Sequence, residues 1–357
     1  MRRRYVLGEP CFRTAPFDFH HAPAGQQAAL CAVVLGETDN PVVIEQQLAR
    51  EYTAVAYCLV RMGVRPDLIY SHRQYFEWGT AGPLMQEFGL KTLNLPSEIS
   101  ASYTCFPRDL CLRMGKLTLL NPHCRKQWRD NVSPTDHLSR GIVVSPLGEG
   151  GTTLVAGLTV VTQRHVIVHR PEKSIELNEK AFAVIQLAGM NRMLMPPSRE
   201  INVDANYVGK RARLNKHGDR IYALLTGADG KPHLVIDSTV TMAGVLAKSP
   251  DRLVAIEPAA WLPLVRERCT EDGILMHEVP RMQVPFALNL LQFEDSRRVI
   301  MTGGDSEVQT LIEEIAGKGR VFTTDIPIRY FPTHRRGGIR CLIGDRPSDA
   351  TFKLGLL

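Results

Sequence analysis

Phe286-Ala287-Leu288-Asn289-Leu290-Leu291-Gln292-Phe293 is a nearly continuous apolar run, and Arg298-Val299-Ile300-Met301 follows it as a second. Such runs predict strands buried on both faces, because a strand with one wet face alternates instead. Asp305 or Ser306 can cap a helix after them. Val308, Leu311, Ile312 and Ile315 form its apolar stripe at helical spacing, and Gly317 stands where the helix ends. Residues 284–328 thus read as strand, strand, helix, strand.

The same order recurs outward from there. Residues 233–279 supply strands at 233–242 and 252–256, then Leu262, Val265 and Cys269 at helical spacing, with Pro263 confining the regular helix to the residues after it. A third copy spans 153–195, with strands at 153–161 and 165–169 and a weaker helical pattern at 182–190. A fourth, less regular copy spans 29–70. It has a strand at 29–35, then a helix opened by Asn40-Pro41, striped by Ile44, Leu48, Val55, Leu59 and Met62, and ended by Gly63. Residues 103–132 give two short strands and a polar segment without a helical stripe. Repetition near fifty residues implies an array of similar units closing on itself. No Ser/Gly-rich linker divides it, and 195–219 reads as a connection between halves. The expected organisation is an N-terminal extension 1–28, one α/β domain 29–345 and a C-terminal tail 346–357, with Met1-Arg2-Arg3-Arg4 as a solvated tail.

Composition agrees with a packed chain. Its 357 residues carry a formal charge of +6, with 44% hydrophobic and 22% charged residues, which excludes wholesale disorder. The mild positive charge permits anionic partners without demanding them. No stretch approaches the roughly 18 apolar residues of a membrane helix, and the charged start lacks an apolar core after it, so a cytoplasmic protein is expected. Eight cysteines in this length do not make a disulfide scaffold.

Three segments could carry chemistry. Arg335-Arg336-Gly337-Gly338-Ile339-Arg340-Cys341-Leu342-Ile343-Gly344-Asp345 puts two glycines, which let backbone approach a ligand, ahead of a cysteine expected on a short apolar strand. Arg340 and loop amides beside Cys341 would favour its thiolate; a plain turn is the competing reading. Phe106-Pro107-Arg108-Asp109 interrupts a strand-like region. A carboxylate there can bind a guanidinium in a planar, bidentate way, or form only a surface ion pair with its neighbour. Gly148-Glu149-Gly150-Gly151-Thr152-Thr153 is a Gly-rich bend without the Lys and spacing of a phosphate loop.

Taken in this order, the fragments resemble the pentein superfamily of guanidino-group-modifying enzymes, which includes arginine deiminases, dimethylarginine hydrolases, agmatine deiminases and amidinotransferases. The resemblance spans roughly 29–345. It implies a propeller of five ββαβ-type repeats around a central site. Phe106, Arg108 and Asp109 match the family's Phe-x-Arg-Asp segment, Glu149-Gly150-Gly151 opens the third unit, Asn289 matches an asparagine of the fifth, and Gly337-Gly338-Ile339-Arg340-Cys341 matches its Gly-Gly-x-x-Cys nucleophile. Two positions depart. Thr152 stands where the family has Asp. In the fourth unit, where His-x-Asp is expected, the chain reads His233-Leu234-Val235-Ile236-Asp237. A bulge between them would restore the match, with His233 as acid–base group beside Asp237. Otherwise Val235 takes the histidine's place, and His277 or His334 are the candidates.

The resemblance implies that Cys341 attacks the guanidinium carbon of arginine or a derivative. Asp109 and Glu149 would hold the cation, with Phe106, Arg108, Gly338 and Arg340 lining the site and His233 protonating the leaving nitrogen. Water completes a hydrolysis, the favoured outcome because it needs no second amine pocket; an amine acceptor completes an amidino transfer. The competitor from another class is a non-catalytic pentein binding protein. No cofactor, metal, nucleic acid or membrane is expected, and a homo-oligomer is left open. Cys105, Cys111, His123 and Cys124 lack the knuckle spacing of a zinc set. Arg335-Arg336-Gly337-Gly338 lacks the interleaved aromatics of a nucleic-acid segment.

Overall fold

Four small sheets are built alike, each an antiparallel hairpin whose second strand pairs in parallel with a third. They are Cys111–Met114, Leu117–Leu120 and Ile142–Val144; Thr153–Ala156, Thr159–Thr162 and Arg192–Leu194; Tyr222–Thr226, Pro232–Asp237 and Leu275–Val279; and Leu291–Gln292, Val299–Met301 and Val321–Thr323. A fifth sheet repeats the pattern with strands from opposite ends of the chain. Ile343–Asp345 pairs antiparallel with Tyr5–Leu7, which pairs in parallel with Asp67–Tyr70, and Thr92–Asn94 adds beyond it. The computed structural model describes residues 3–10, 41–70, 78–96, 99, 101–122, 138–162, 182–194, 200–201, 214–215, 218–240, 242–246, 249–256, 258–335, 337–347 and 349–353.

A parallel third strand needs a crossover, and helices supply it where the sequence predicts them. Pro41–Arg61 runs between Tyr5–Leu7 and Asp67–Tyr70, opening on its proline and followed by Gly63 at φ 77°. Ser306–Ala316 is capped by Asp305, whose side chain accepts the Val308 N–H, and buries Val308, Ile312 and Ile315. Its Gly317 lies at φ 99°. Pro258–Asp272 starts five residues earlier than Pro263 suggests. Trp261, fully buried, anchors that first turn by donating its indole N–H to the Val240 carbonyl at 2.9 Å. Leu48, Tyr52, Val55 and Leu59 of the Pro41–Arg61 helix pack on Leu7, Leu68, Phe293 and Ile343, tying the two chain ends into one core.

Several expectations are corrected. The strand expected at 286–293 is only Leu291–Gln292. Ahead of it the chain turns, with Phe286 at φ 59° and the Asn289 N–H donating to the Phe286 carbonyl; its apolar residues are those of a buried loop. The strand at 233–242 ends at Asp237, and Met242–Leu246 pairs with Ser249–Ile256 in a sixth sheet that also holds Glu200–Ile201 and Leu214–Asn215. Within the expected N-terminal extension, Tyr5–Leu7 lies inside a sheet. Nor is Arg3 solvated: it pairs with Glu294 at 2.7 Å. The C-terminal tail contains a helix, Asp349–Lys353, whose Thr351 is fully buried. The strands expected at 29–35 and 165–169 lie outside the described residues.

Candidate functional site

Five segments leading into the first strands of five sheets hold the residues around Cys341. Asp109 stands two residues ahead of Cys111–Met114, Gly151 two ahead of Thr153–Ala156, and Asp219 three ahead of Tyr222–Thr226. Asn289 stands two ahead of Leu291–Gln292, and Cys341 two ahead of Ile343–Asp345. Residues far apart in sequence converge because each occupies the same place in its own copy of the motif.

Cys341 does not lie on a strand as expected. It sits in a single helical turn, Ile339–Leu342, begun by Gly338 as N-cap. Asn289 sets the turn by accepting the Arg340 N–H on its side-chain oxygen at 2.8 Å. A Cβ at Gly338 would come within 2.5 Å of that oxygen, so only glycine admits Asn289. At Gly337 a Cβ would strike the Phe106 ring at 2.6 Å.

The thiol is 3% exposed and faces polar atoms. It donates to Asp219 Oδ2 at 3.4 Å, and the Asn289 amide N–H donates to Sγ at 3.5 Å. Burial, then the negative charges of Asp219 and Asp109, push the Cys341 thiol well above its ordinary range. These surroundings favour the neutral thiol over the thiolate. Asp109 accepts the Gly151 N–H at 2.9 Å. Asp219 is fully buried and its Oδ1 has no hydrogen-bond partner among the described residues. An orphaned carboxylate oxygen at zero exposure is costly unless a donor arrives.

Arg340 and Arg108 are held by other groups. Arg340 pairs with Asp219 Oδ2 at 3.2 Å, and donates to the Thr153 carbonyl at 2.8 Å and to the Gly150 carbonyl. Arg108 does not pair with neighbouring Asp109. It reaches Asp345 Oδ2 at 3.1 Å and the Ile343 carbonyl at 3.0 Å, locking the Pro107–Asp109 turn to the strand after the cysteine. Its stem fills the place a Cβ at Gly150 would take, 2.1 Å away, which explains the bend after Glu149. The Glu149 carbonyl accepts the Thr152 and Thr153 N–H groups, and Thr152 also gives it its hydroxyl at 3.1 Å. Thr152 is thus turned into its own loop.

The structure gathers Asp109, Asn289, Gly338, Arg340 and Cys341, but places the expected His233–Asp237 pair elsewhere. His233 lies on the second strand of its sheet, its ring 2.9 Å from His277 and 3.1 Å from Asp229. Asp237 binds its own turn, accepting the Thr239 N–H at 3.0 Å and hydroxyl at 2.6 Å. His334 stacks on Tyr330. The residue sequence reasoning missed is Asp219. Its signal was present: His217-Gly218-Asp219 has the His-x-Asp spacing, just ahead of the first strand of its sheet, although His217 itself lies outside the described residues.

No helix among the described residues is long and apolar enough to cross a membrane, and no group of three or more His, Cys, Asp or Glu there could hold a metal. Of the suggested zinc ligands, Cys105 and Cys111 are buried and lie in no disulfide among the described residues, and His123 and Cys124 lie outside those residues.

No family profile matches the chain, and no curated protein does. Solved structures do, and they are members of the pentein superfamily. A structure assigned as an agmatine deiminase is 11% identical, with 96% of each chain covered and a TM-score of 0.51. The N-terminal domain of an arginine dihydrolase from the ornithine–ammonia cycle in Cyanobacteria is 12% identical, with 97% of each chain covered and a TM-score of 0.46. An inosamine-phosphate amidinotransferase from Streptomyces griseus is 12% identical, covering 98% of this chain and 94% of its own, with a TM-score of 0.44. The first of these establishes a shared mixed α/β fold.

Proposed function

We propose that the chain is a five-bladed pentein propeller that modifies a guanidino group through a covalent intermediate on Cys341. The observation that carries this reading is the buried thiol 3.4 Å from Asp219, with a second carboxylate, Asp109, near enough for its charge to act on the sulfur. The Cys341 sulfur has the Asp219 carboxylate and the Asn289 side-chain amide within 3.5 Å, not hydrocarbon alone.

A guanidinium carbon is a poor electrophile because three nitrogens share its charge. Two carboxylates fix the cation in one orientation, and the unpartnered Asp219 Oδ1 gains the donor it lacks. The bound positive charge offsets the negative field that keeps Cys341 protonated, so thiolate forms when substrate is present. Sulfur attacks the guanidinium carbon, giving a tetrahedral adduct. The departing nitrogen takes a proton and leaves as an amine, and the carbon remains on sulfur as an amidino-thioether. Water then adds to that carbon, sulfur leaves as the thiol, and a ureido product is released. His217, two residues before Asp219 in a His-x-Asp sequence, is the better candidate for the acid–base group than His233, whose ring is engaged by His277 and Asp229. Asp219 takes the substrate-orienting role left open by Thr152.

The hydrolase is favoured over the amidinotransferase because water needs no second amine pocket. Incubating the protein with arginine, agmatine or a methylated arginine, with and without glycine, lysine or hydroxylamine, separates the two. Ammonia or a methylamine with a ureido product indicates the hydrolase; a new guanidino compound indicates the transferase. Turnover that survives Cys341→Ala unchanged sinks the covalent reading, and absence of any turnover or guanidino binding leaves the binding-protein alternative.

A further inference from the structure

Glu51 belongs to the Pro41–Arg61 helix, is 2% exposed and spends its carboxylate on the backbone of a distant loop. One oxygen accepts the Arg329 N–H at 2.6 Å and the Tyr330 N–H at 2.8 Å. The other accepts the Phe331 N–H at 2.9 Å. Those amides open the helical turn Phe331–Arg335, from which the chain runs through Gly337 and Gly338 into Cys341. Earlier on the same helix, Glu45 pairs with Arg335 at 2.7 Å, so the helix grips this turn at both ends. The link continues to the site, since the Phe331 ring meets Phe106 edge-on at 6.4 Å and Phe106 abuts Gly337.

We propose that Glu51 is a positioning residue, whose ionised carboxylate clamps the backbone of 329–331 and so fixes the loop that presents Cys341. This rests on the reading of Cys341 as nucleophile. Three N–H donors suit a carboxylate, which accepts on both oxygens; a protonated carboxyl turns one oxygen into a donor facing an N–H. Burial raises the Glu51 pKa to about 7 against the opposing pull of the three backbone bonds and Arg329. Among the described residues the charged and titratable groups nearby are Arg329, Tyr330, His334 and Arg335 on the loop, and Glu45 and Arg50 on its own helix. The clamp tightens as pH rises through about 7 and slackens as pH falls through it. Global stability runs the other way. A raised carboxyl pKa means that the folded state binds the proton more tightly than the unfolded chain between 4.5 and about 7, so ionisation costs stability while it tightens the loop.

The test compares wild type, Glu51→Gln and Glu51→Ala by amide hydrogen exchange at residues 329–331 and by kcat and KM on guanidino compounds across pH 6–8. Exchange about tenfold faster in Glu51→Ala, with kcat down about tenfold and KM little moved, supports the proposal. Glu51→Gln should be intermediate, since its single carbonyl serves two of the three amides, and it should lose the acid limb near pH 7. Unchanged exchange in a folded Glu51→Gln protein overturns the clamp, and that variant decides the matter if Glu51→Ala does not fold. Faster exchange with unchanged kcat overturns the positioning of Cys341. Wild type that turns over no guanidino compound fails the nucleophile reading and the positioning with it, while exchange still reports on the clamp by itself.

Discussion

Asp219→Asn pulls stability, thiol chemistry and turnover in different directions. The native carboxylate pairs with Arg340 at 3.2 Å, with both side chains almost fully buried, so solvent screening barely discounts the pair. Removing one partner of such a pair costs about 3–5 kcal/mol. The low end applies, because asparagine keeps an acceptor and Arg340 retains the Gly150 and Thr153 carbonyls. With an unfolding entropy of about 2.1 cal/mol/K per residue, a loss of about 3 kcal/mol over 357 residues lowers Tm by about 4 °C. The same substitution removes the larger of the two charges that hold Cys341 protonated, leaving burial and Asp109. Alkylation of Cys341 by iodoacetamide at fixed pH should therefore quicken, by about tenfold for each 1.4 kcal/mol of repulsion relieved. Guanidino turnover should nevertheless fall at least about a hundredfold, because the cation loses one of its carboxylates. Calorimetry, mass-spectrometric labelling and a product assay on one preparation check all three. A variant with slower alkylation and intact folding refutes the account of the thiol's electrostatics, and unchanged turnover refutes the role given to Asp219.

Three further outcomes concern separate parts of the molecule. Gly338→Ala should keep the fold but abolish turnover, because the new Cβ drives Asn289 away from the Arg340 N–H and the thiol; activity near wild type in a product assay contradicts the geometry of the turn. Burial, with the neighbouring His233, lowers the pKa of His277, so the unfolded chain takes up a proton there before the native protein does. Stability from this ring is present above about pH 6.5 and lost as pH falls below it, by less than about 1 kcal/mol because the ring is partly solvated. On going from pH 5.5 to 7.5, the urea midpoint of His277→Gln should move further toward lower stability than that of wild type, because the ring's opposing contribution is gone. Asp305→Ala should cost about 2–4 kcal/mol by urea denaturation, since it uncaps Val308, strands the buried Val284 amide and frees the partly buried Gln283 amide; a loss under about 0.5 kcal/mol contradicts the cap.

The sequence by itself determined the local pieces. The apolar stripe of Ser306–Ala316 with Asp305 before it and Gly317 after it, the proline opening Pro41–Arg61, and the recurring strand–strand–helix–strand order are legible because they depend on neighbours within one turn or one pleat. Phe106, Asp109, Gly337, Gly338 and Cys341 were legible for a similar reason: each sits in a short motif that stays contiguous. Only the tertiary structure decided which carboxylate faces the sulfur. Asp219 and His233 lie fourteen positions apart with acids and histidines on both sides, and composition does not rank them. Their place in the sheet does, because residues ahead of a first strand converge while those on a second strand turn to other neighbours. The pairing of Tyr5–Leu7 with Ile343–Asp345 was equally out of reach, since a strand of three residues carries too little pattern to name a partner from the opposite end of the chain.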